Sequence, residues 1–84
     1  MVYQVEFTKK AAKDVKKLSP KLVVKLKEIL RNKIAVAPYS GKPLVGDLKG
    51  YYSVRLSYQD RVVYTIDDTK VLVTVIRARS HYGE

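Results

Sequence analysis

The chain has 84 residues, 46% of them hydrophobic, and sets 17 Lys and Arg against 8 Asp and Glu for a formal net charge of +9. A chain this small buries roughly 60–65% of its unfolded surface, which allows one domain over residues 1–84 with a modest core and puts any chemistry on an open face. With no cysteine and one histidine, a disulfide framework, a thiolate centre and an imidazole-rich metal site are excluded, and no metal or other cofactor is expected. The start MVYQVEFTKK has no signal-like apolar core, and no run of about 18 apolar residues offers a membrane span. Absent cysteine fits a reducing cytoplasm. The excess charge favours a polyanionic partner: nucleic acid first, an acidic protein segment second, an anionic membrane third.

Val2 to Phe7 alternates, with Tyr3, Val5 and Phe7 on one side, and reads as a short strand with one buried face. Thr8 is placed to cap a helix in which Ala11, Ala12, Val15 and Leu18 recur at helical spacing while Lys9, Lys10, Lys13, Lys16 and Lys17 face water. Ser19-Pro20 ends that helix and begins another, since proline disfavours a helical residue before it and suits the first helical position. Leu22, Val23, Leu26, Ile29, Leu30 and Ile34 form its apolar stripe. The two helices make an αα-hairpin.

From Ala37 to Gly50 the periodicity fails, and Pro38, Gly41, Pro43, Gly46 and Gly50 predict a connecting loop anchored by Leu44 and Leu48. Three strands follow: Tyr51 to Tyr58, Arg61 to Ile66, and the nearly all-apolar Val71 to Ile76, the last two joined by the polar turn Asp67-Asp68-Thr69-Lys70. The order β-α-α-β-β-β predicts an α+β fold. Its twisted sheet is mostly antiparallel, with the first strand at an edge or in the centre and the helical hairpin on one face. The other face is left for binding.

A three-residue loop, Tyr58 to Asp60, would pair Ser57 with Arg61, Arg55 with Val63, and Ser53 with Thr65. Paired residues share a face. One face then carries Tyr52, Val54, Leu56, Val62, Tyr64 and Ile66, and the other Ser53, Arg55, Ser57, Arg61, Val63 and Thr65. A two-residue loop would mix Arg55 with Tyr64 and Ile66, so the longer loop is expected.

The ending VLVTVIRARSHYGE carries a core strand directly into Arg77, Arg79, His81 and Tyr82. Arg77, Arg79 and His81 share one parity and are expected to join Arg55 and Arg61 on the open face. Guanidinium groups grip phosphate oxygens and stabilise developing negative charge. Histidine's unperturbed pKa lies near neutrality, so His81 suits a general acid or base, and Tyr82 suits base stacking or proton donation. A phosphodiester of RNA fits this set without a metal, because RNA brings its own nucleophile in the 2′-hydroxyl.

Three stretches, FTKKAAKDVKKL, LKGYYSVRLSYQDRVVYTID and VIRARSHY, covering nearly the whole chain with their spacing, resemble the RelE/ParE superfamily of bacterial toxins. The ending Arg79-Ser80-His81-Tyr82 is similar to the YoeB branch. The resemblance implies the RelE-like microbial ribonuclease fold and the toxin part of a type II toxin-antitoxin system, a metal-independent endoribonuclease that cuts mRNA in the ribosomal A site. The 2′-hydroxyl attacks the adjacent phosphate, leaving a 2′,3′-cyclic phosphate or its hydrolysis product. It also implies a cognate antitoxin with an acidic, partly disordered segment, with DNA reached only through that antitoxin.

By position, Arg61 matches the family's transition-state arginine, and His81 and Tyr82 match the terminal catalytic residues of the YoeB branch. Arg55, Arg77 and Arg79 are expected to bind phosphate. The glutamate base of YoeB-type toxins falls at Lys42 here, with Asp47 the nearest acid. The lysines of the RelE branch fall at Ser53 and Arg55, so the base is unassigned. The alternatives are a ParE-like toxin acting on DNA gyrase, whose members lack the histidine-tyrosine ending, and a degenerate RNA- or protein-binding module of the same fold.

Overall fold

The computed structural model describes residues 2–79, with Arg79 through its backbone. Its elements are strand β1 (Gln4–Phe7), helices α1 (Lys9–Lys16) and α2 (Pro20–Ile29), then strands β2 (Lys42–Pro43), β3 (Tyr51–Arg55), β4 (Arg61–Asp67) and β5 (Leu72–Arg79). They build a mixed five-stranded sheet of order β1-β5-β4-β3-β2. β1 lies at one edge, parallel to β5, and every other pair is antiparallel.

The helix starts follow local chemistry. The Thr8 hydroxyl accepts the Ala11 N–H at 3.1 Å, and the Ser19 hydroxyl accepts the Leu22 N–H at 3.3 Å, with Pro20 in the first turn. Each side-chain oxygen satisfies a donor that an opening helix leaves unpaired. After Ile29 the second helix widens into a π-helical turn, Leu30–Ile34, closed by Ala35 N–H to the Leu30 carbonyl at 2.8 Å. That turn keeps both Leu30 and Ile34 on the buried side.

The core lies between the helices and one sheet face. Ala11, Leu26, Leu30 and Ile34 pack against Val54, Leu56, Val62, Tyr64, Val73 and Val75. Tyr64 is the bulkiest fully buried side chain, and its hydroxyl donates to the Pro38 carbonyl at 2.6 Å. Gly41 permits this: a Cβ there would stand 2.2 Å from the Tyr64 hydroxyl and 3.1 Å from the Ser53 carbonyl. Along α1, α2 and Phe7 runs an apolar groove of about 460 Å³, with Lys16 and Lys27 among its walls.

Four expectations need correction. The stretch 37–50 is not wholly irregular, since Lys42 and Pro43 pair with Ser53 and Tyr52 as β2. Phe7, expected inside, is 40% exposed beside the groove. β5 does not stop at Ile76 but runs on to Arg79. The β3–β4 register is shifted by two residues and the connecting loop is two residues longer than expected, spanning residues 56–60: Arg55 faces Arg61, Ser53 faces Val63 and Tyr51 faces Thr65. The cause is the loop's own side chains. Ser57 accepts N–H bonds from Gln59 and Asp60 and donates to the Asp60 carboxylate at 2.9 Å, while the Asp60 carbonyl accepts from Leu56 at 2.8 Å and from Ser57 at 3.1 Å. This network ends β3 at Arg55. A slip of two residues preserves side-chain parity, so the two faces keep the expected residues.

Candidate nucleic-acid interface

The corrected register concentrates charge. Arg55 on β3 stands opposite Arg61 on β4, and Arg61 stands opposite Arg79 on β5. Arginine therefore occupies matching positions on three adjacent strands, spaced about 4.8 Å apart. Like charges placed directly opposite each other disfavour the fold. Arg55 is exposed and Arg61 half-buried, and no carboxylate among the described residues pairs with either. The next row holds Ser53 and Val63, both buried, opposite Arg77. A charged row thus borders a water-poor floor made by Ser53 and Val63, where an anion would be held more strongly than in bulk water.

Arg77 has a different setting from its neighbours. Its Nε donates to Asp14 Oδ2 at 2.9 Å and its Nη2 reaches Asp14 Oδ1 at 3.4 Å, while the Ala78 N–H donates to the same Oδ2 at 3.1 Å. Asp14, on α1, is 5% exposed. The contact forms where β5 outruns β1: β1 pairs as far as Phe7 with Val75, and α1 then takes over that edge. Thr8 contributes as well, its hydroxyl donating to the Ile76 carbonyl at 3.1 Å. Ile76 is the extra residue of a β-bulge, lying between the pairs Tyr64–Val75 and Val63–Arg77.

His81 and Tyr82 lie outside the described residues, as does the side chain of Arg79. Lys42, at the position the resemblance assigns to a glutamate, is an exposed cation on β2 opposite Ser53. Asp47 sits in the turn Gly46–Leu48, past the Tyr51 end of β3 and away from the arginine row at the Arg55 end. Asp60 adjoins the row but is engaged in the Ser57 network. Nowhere among the described residues do three His, Cys, Asp or Glu side chains gather into a metal site.

Two residues escaped the sequence reading. Asp14 is the one acid of a lysine-rich helix, three positions after Ala11, so its place on the buried side was open to inference. Tyr58 projects from the β3–β4 loop, 91% exposed beside the row, where an aromatic ring can stack on a base. Its polar loop neighbours gave no cue to function.

The far end of the sheet has the opposite character. Asp68, in the β4–β5 turn, accepts a hydrogen bond from the Tyr3 hydroxyl at 2.7 Å and a second, short one from the Tyr39 hydroxyl. These bonds hold the Asp68 carboxyl below the usual range, lift Tyr3, and push Tyr39 up to about 12. Tyr39 meets Tyr52 edge-on at 5.5 Å, and Tyr52 stacks on Tyr64 at 5.9 Å. Burial raises Tyr64 to about 12.

The chain is similar to known proteins in sequence and in fold. The family model for the YoeB-like toxin of bacterial type II toxin-antitoxin systems matches residues 3–82. Toxin RelG of Mycobacterium tuberculosis is 35% identical over 78 residues, spanning 92% of this chain and 88% of its own. Toxin YoeB of Synechocystis is 38% identical over 66 residues, 74% of each. Among solved structures, a chain of the RelBE2 toxin–antitoxin complex of Mycobacterium tuberculosis superposes with a TM-score of 0.87 at 32% identity, covering 96% of this chain and all of that one.

Proposed function

The chain belongs to the YoeB-like toxins of bacterial type II toxin-antitoxin systems, and from that premise we propose that this toxin is a metal-independent endoribonuclease that cuts mRNA in the ribosomal A site of the cytoplasm. The observation that carries the reading is the Arg55–Arg61–Arg79 row. Like charges in register cost stability, and an anion laid across them removes that cost. A phosphodiester is such an anion, and planar guanidinium groups fit its oxygens in pairs.

The reaction follows from the substrate. The ribose 2′-oxygen bonds to the adjacent phosphorus as the bond from phosphorus to the 5′-oxygen breaks, giving a 2′,3′-cyclic phosphate and a 5′-hydroxyl. Arg61 supports the charge that builds on the phosphate oxygens, with Arg55 and Arg79 on either side of it. His81 gives a proton to the departing 5′-oxygen, with Tyr82 beside it. Arg77, paired with Asp14, adds positive charge next to the row. No carboxylate waits in this row for the proton leaving the 2′-hydroxyl, which passes to solvent water on the open face. Arginine stays protonated, and the row's own field makes the 2′-alkoxide easier to form.

The partner that restrains the toxin is a cognate antitoxin with an acidic segment. A charge of +9 on a small surface draws such a segment. The apolar groove beside Phe7, with Lys16 and Lys27 in its walls, suits an amphipathic stretch with acids along its polar side.

The test adds purified toxin to a translating extract and maps mRNA 5′ ends. Codon-registered cuts that disappear in Arg61→Ala and His81→Ala support the reading. Intact mRNA together with impaired DNA supercoiling would replace it with a gyrase-directed toxin.

A further inference from the structure

We infer that Asp14 is a positioning residue for the reaction: from α1 it fixes the end of β5, and so aims the arginine row and the residues that follow it. The inference rests on the ribonuclease reading above. It starts from an irregularity in the sheet. β5 is paired on both sides as far as Val75, but from Ile76 onward β1 is gone and one edge has no strand neighbour. A strand end so placed should fray, because unpaired backbone groups at an edge exchange with water and its last residues lose their aim. Here the loss falls on Arg77 to Arg79, the residues that deliver the site.

α1 replaces the missing strand with side chains. The Thr8 hydroxyl accepts from Ala11 as a helix cap and donates to the Ile76 carbonyl, so one oxygen ties the helix start to the bulge. Asp14, two turns on, takes the Ala78 N–H at 3.1 Å and the Arg77 Nε at 2.9 Å. The carboxylate therefore holds strand backbone and guanidinium together. It is 5% exposed, so water competes poorly for it, and bonds to an ionised acceptor are roughly twice as strong as neutral ones. Ala78 is flanked by Arg77 and Arg79, and Arg79 is in register with Arg61. Fixing the Ala78 amide therefore fixes where the third arginine enters the row, and from what point residues 80–84 depart.

The pairing also separates two kinds of arginine. Arg77 is held from the side by a buried carboxylate, whereas Arg55 and Arg61 face no described carboxylate. Asp14 acts on the chemistry through Arg77 and the strand, without touching RNA.

The experiment measures mRNA cleavage in a reconstituted translation system for wild type, Asp14→Asn, Asp14→Glu, Arg77→Gln and the Asp14→Asn/Arg77→Gln double variant, each with its melting temperature. Asp14→Asn is expected to lower the cleavage rate at saturating ribosomes by about tenfold to a hundredfold, the range that a displacement near 1 Å produces. The half-saturating ribosome concentration should stay within about twofold, since ground-state binding is left alone. Asp14→Glu should recover part of the rate. The double variant should be no slower than the slower single one, because both changes break one unit. The inference is overturned if Asp14→Asn cleaves like wild type, if its loss only follows the unfolded fraction, or if the two single losses multiply. A wild type that leaves mRNA intact overturns the ribonuclease reading itself and this inference with it, a result distinct from an active wild type matched by an active Asp14→Asn.

Discussion

The two ends of the sheet treat charge in opposite ways. At the Tyr51 end, one carboxylate, Asp68, is shared by two phenols from distant parts of the chain, and a line of tyrosines runs inward from it to the core. At the Arg55 end, cations stand in register across three strands, and none of the described carboxylates pairs with Arg55 or Arg61. The first arrangement satisfies its own polar groups and needs no partner. The second leaves Arg55 and Arg61 without a carboxylate partner among the described residues. On the proposed reading, stability and binding fall to different ends of one small sheet, as expected when a functional site departs from the pattern that would best stabilise the fold.

Arg61→Ala should break the contrast most severely. It is expected to lower mRNA cleavage about 10²–10³-fold, the usual cost of one transition-state donor, while circular dichroism and antitoxin binding stay intact. In the core, where the line of tyrosines ends at Tyr64, the largest effect should come from Gly41→Ala, whose Cβ would push on the buried Tyr64 hydroxyl. Chemical denaturation should show a loss of about 1–3 kcal/mol. Tyr64→Phe, which strands the Pro38 carbonyl inside the core, should cost about 1–2 kcal/mol. Cleavage by folded protein should survive both.

The sequence made some of this plain and hid the rest for physical reasons. Thr8 and Ser19 announced their helices because capping is a contact over three residues. The partition of Ser53, Arg55, Arg61 and Val63 from Val54, Val62 and Tyr64 was legible because strand parity has period two. The register was not, since it is set by the Ser57–Asp60 hydrogen bonds inside the loop. β2 was invisible because a two-residue strand containing Pro43 exists only through its neighbour. The Asp14–Arg77 pair joins residues 63 positions apart, and local patterns carry no record of such a contact. The ending Arg79-Ser80-His81-Tyr82 was recognisable by resemblance, and β5 running on to Arg79 was not, because the polar Arg77 and Arg79 break its apolar run.

The tyrosine end also makes a pH prediction. The lowered Asp68 pKa contributes stability that is present above the unfolded carboxyl value and is lost as pH falls through the folded one. The raised Tyr39 and Tyr3 values act oppositely. Their contribution is present below the unfolded phenol value, near 10, and is lost as pH rises through the folded one, about 12 for Tyr39. Asp68→Asn should therefore flatten both limbs of a plot of melting temperature against pH, and ultraviolet titration should show Tyr39 ionising nearer 10. The smallest effect is expected next to this cluster, at Val71, which holds φ at 52°. A β-branched side chain is strained there. Val71→Asn should raise stability by about 0.5 kcal/mol, seen as a shift in the denaturation midpoint, with cleavage unchanged.

The central claim, that the arginine row is kept for an anion and against the interest of the fold, is tested most directly by measuring stability and cleavage together on Arg55→Ala at low salt. Arg55 is exposed and faces Arg61. The account predicts a melting temperature equal to or above wild type, because a like-charge pair has been removed, together with mRNA cleavage reduced at least tenfold. A variant that melts lower and cleaves as well as wild type would contradict it.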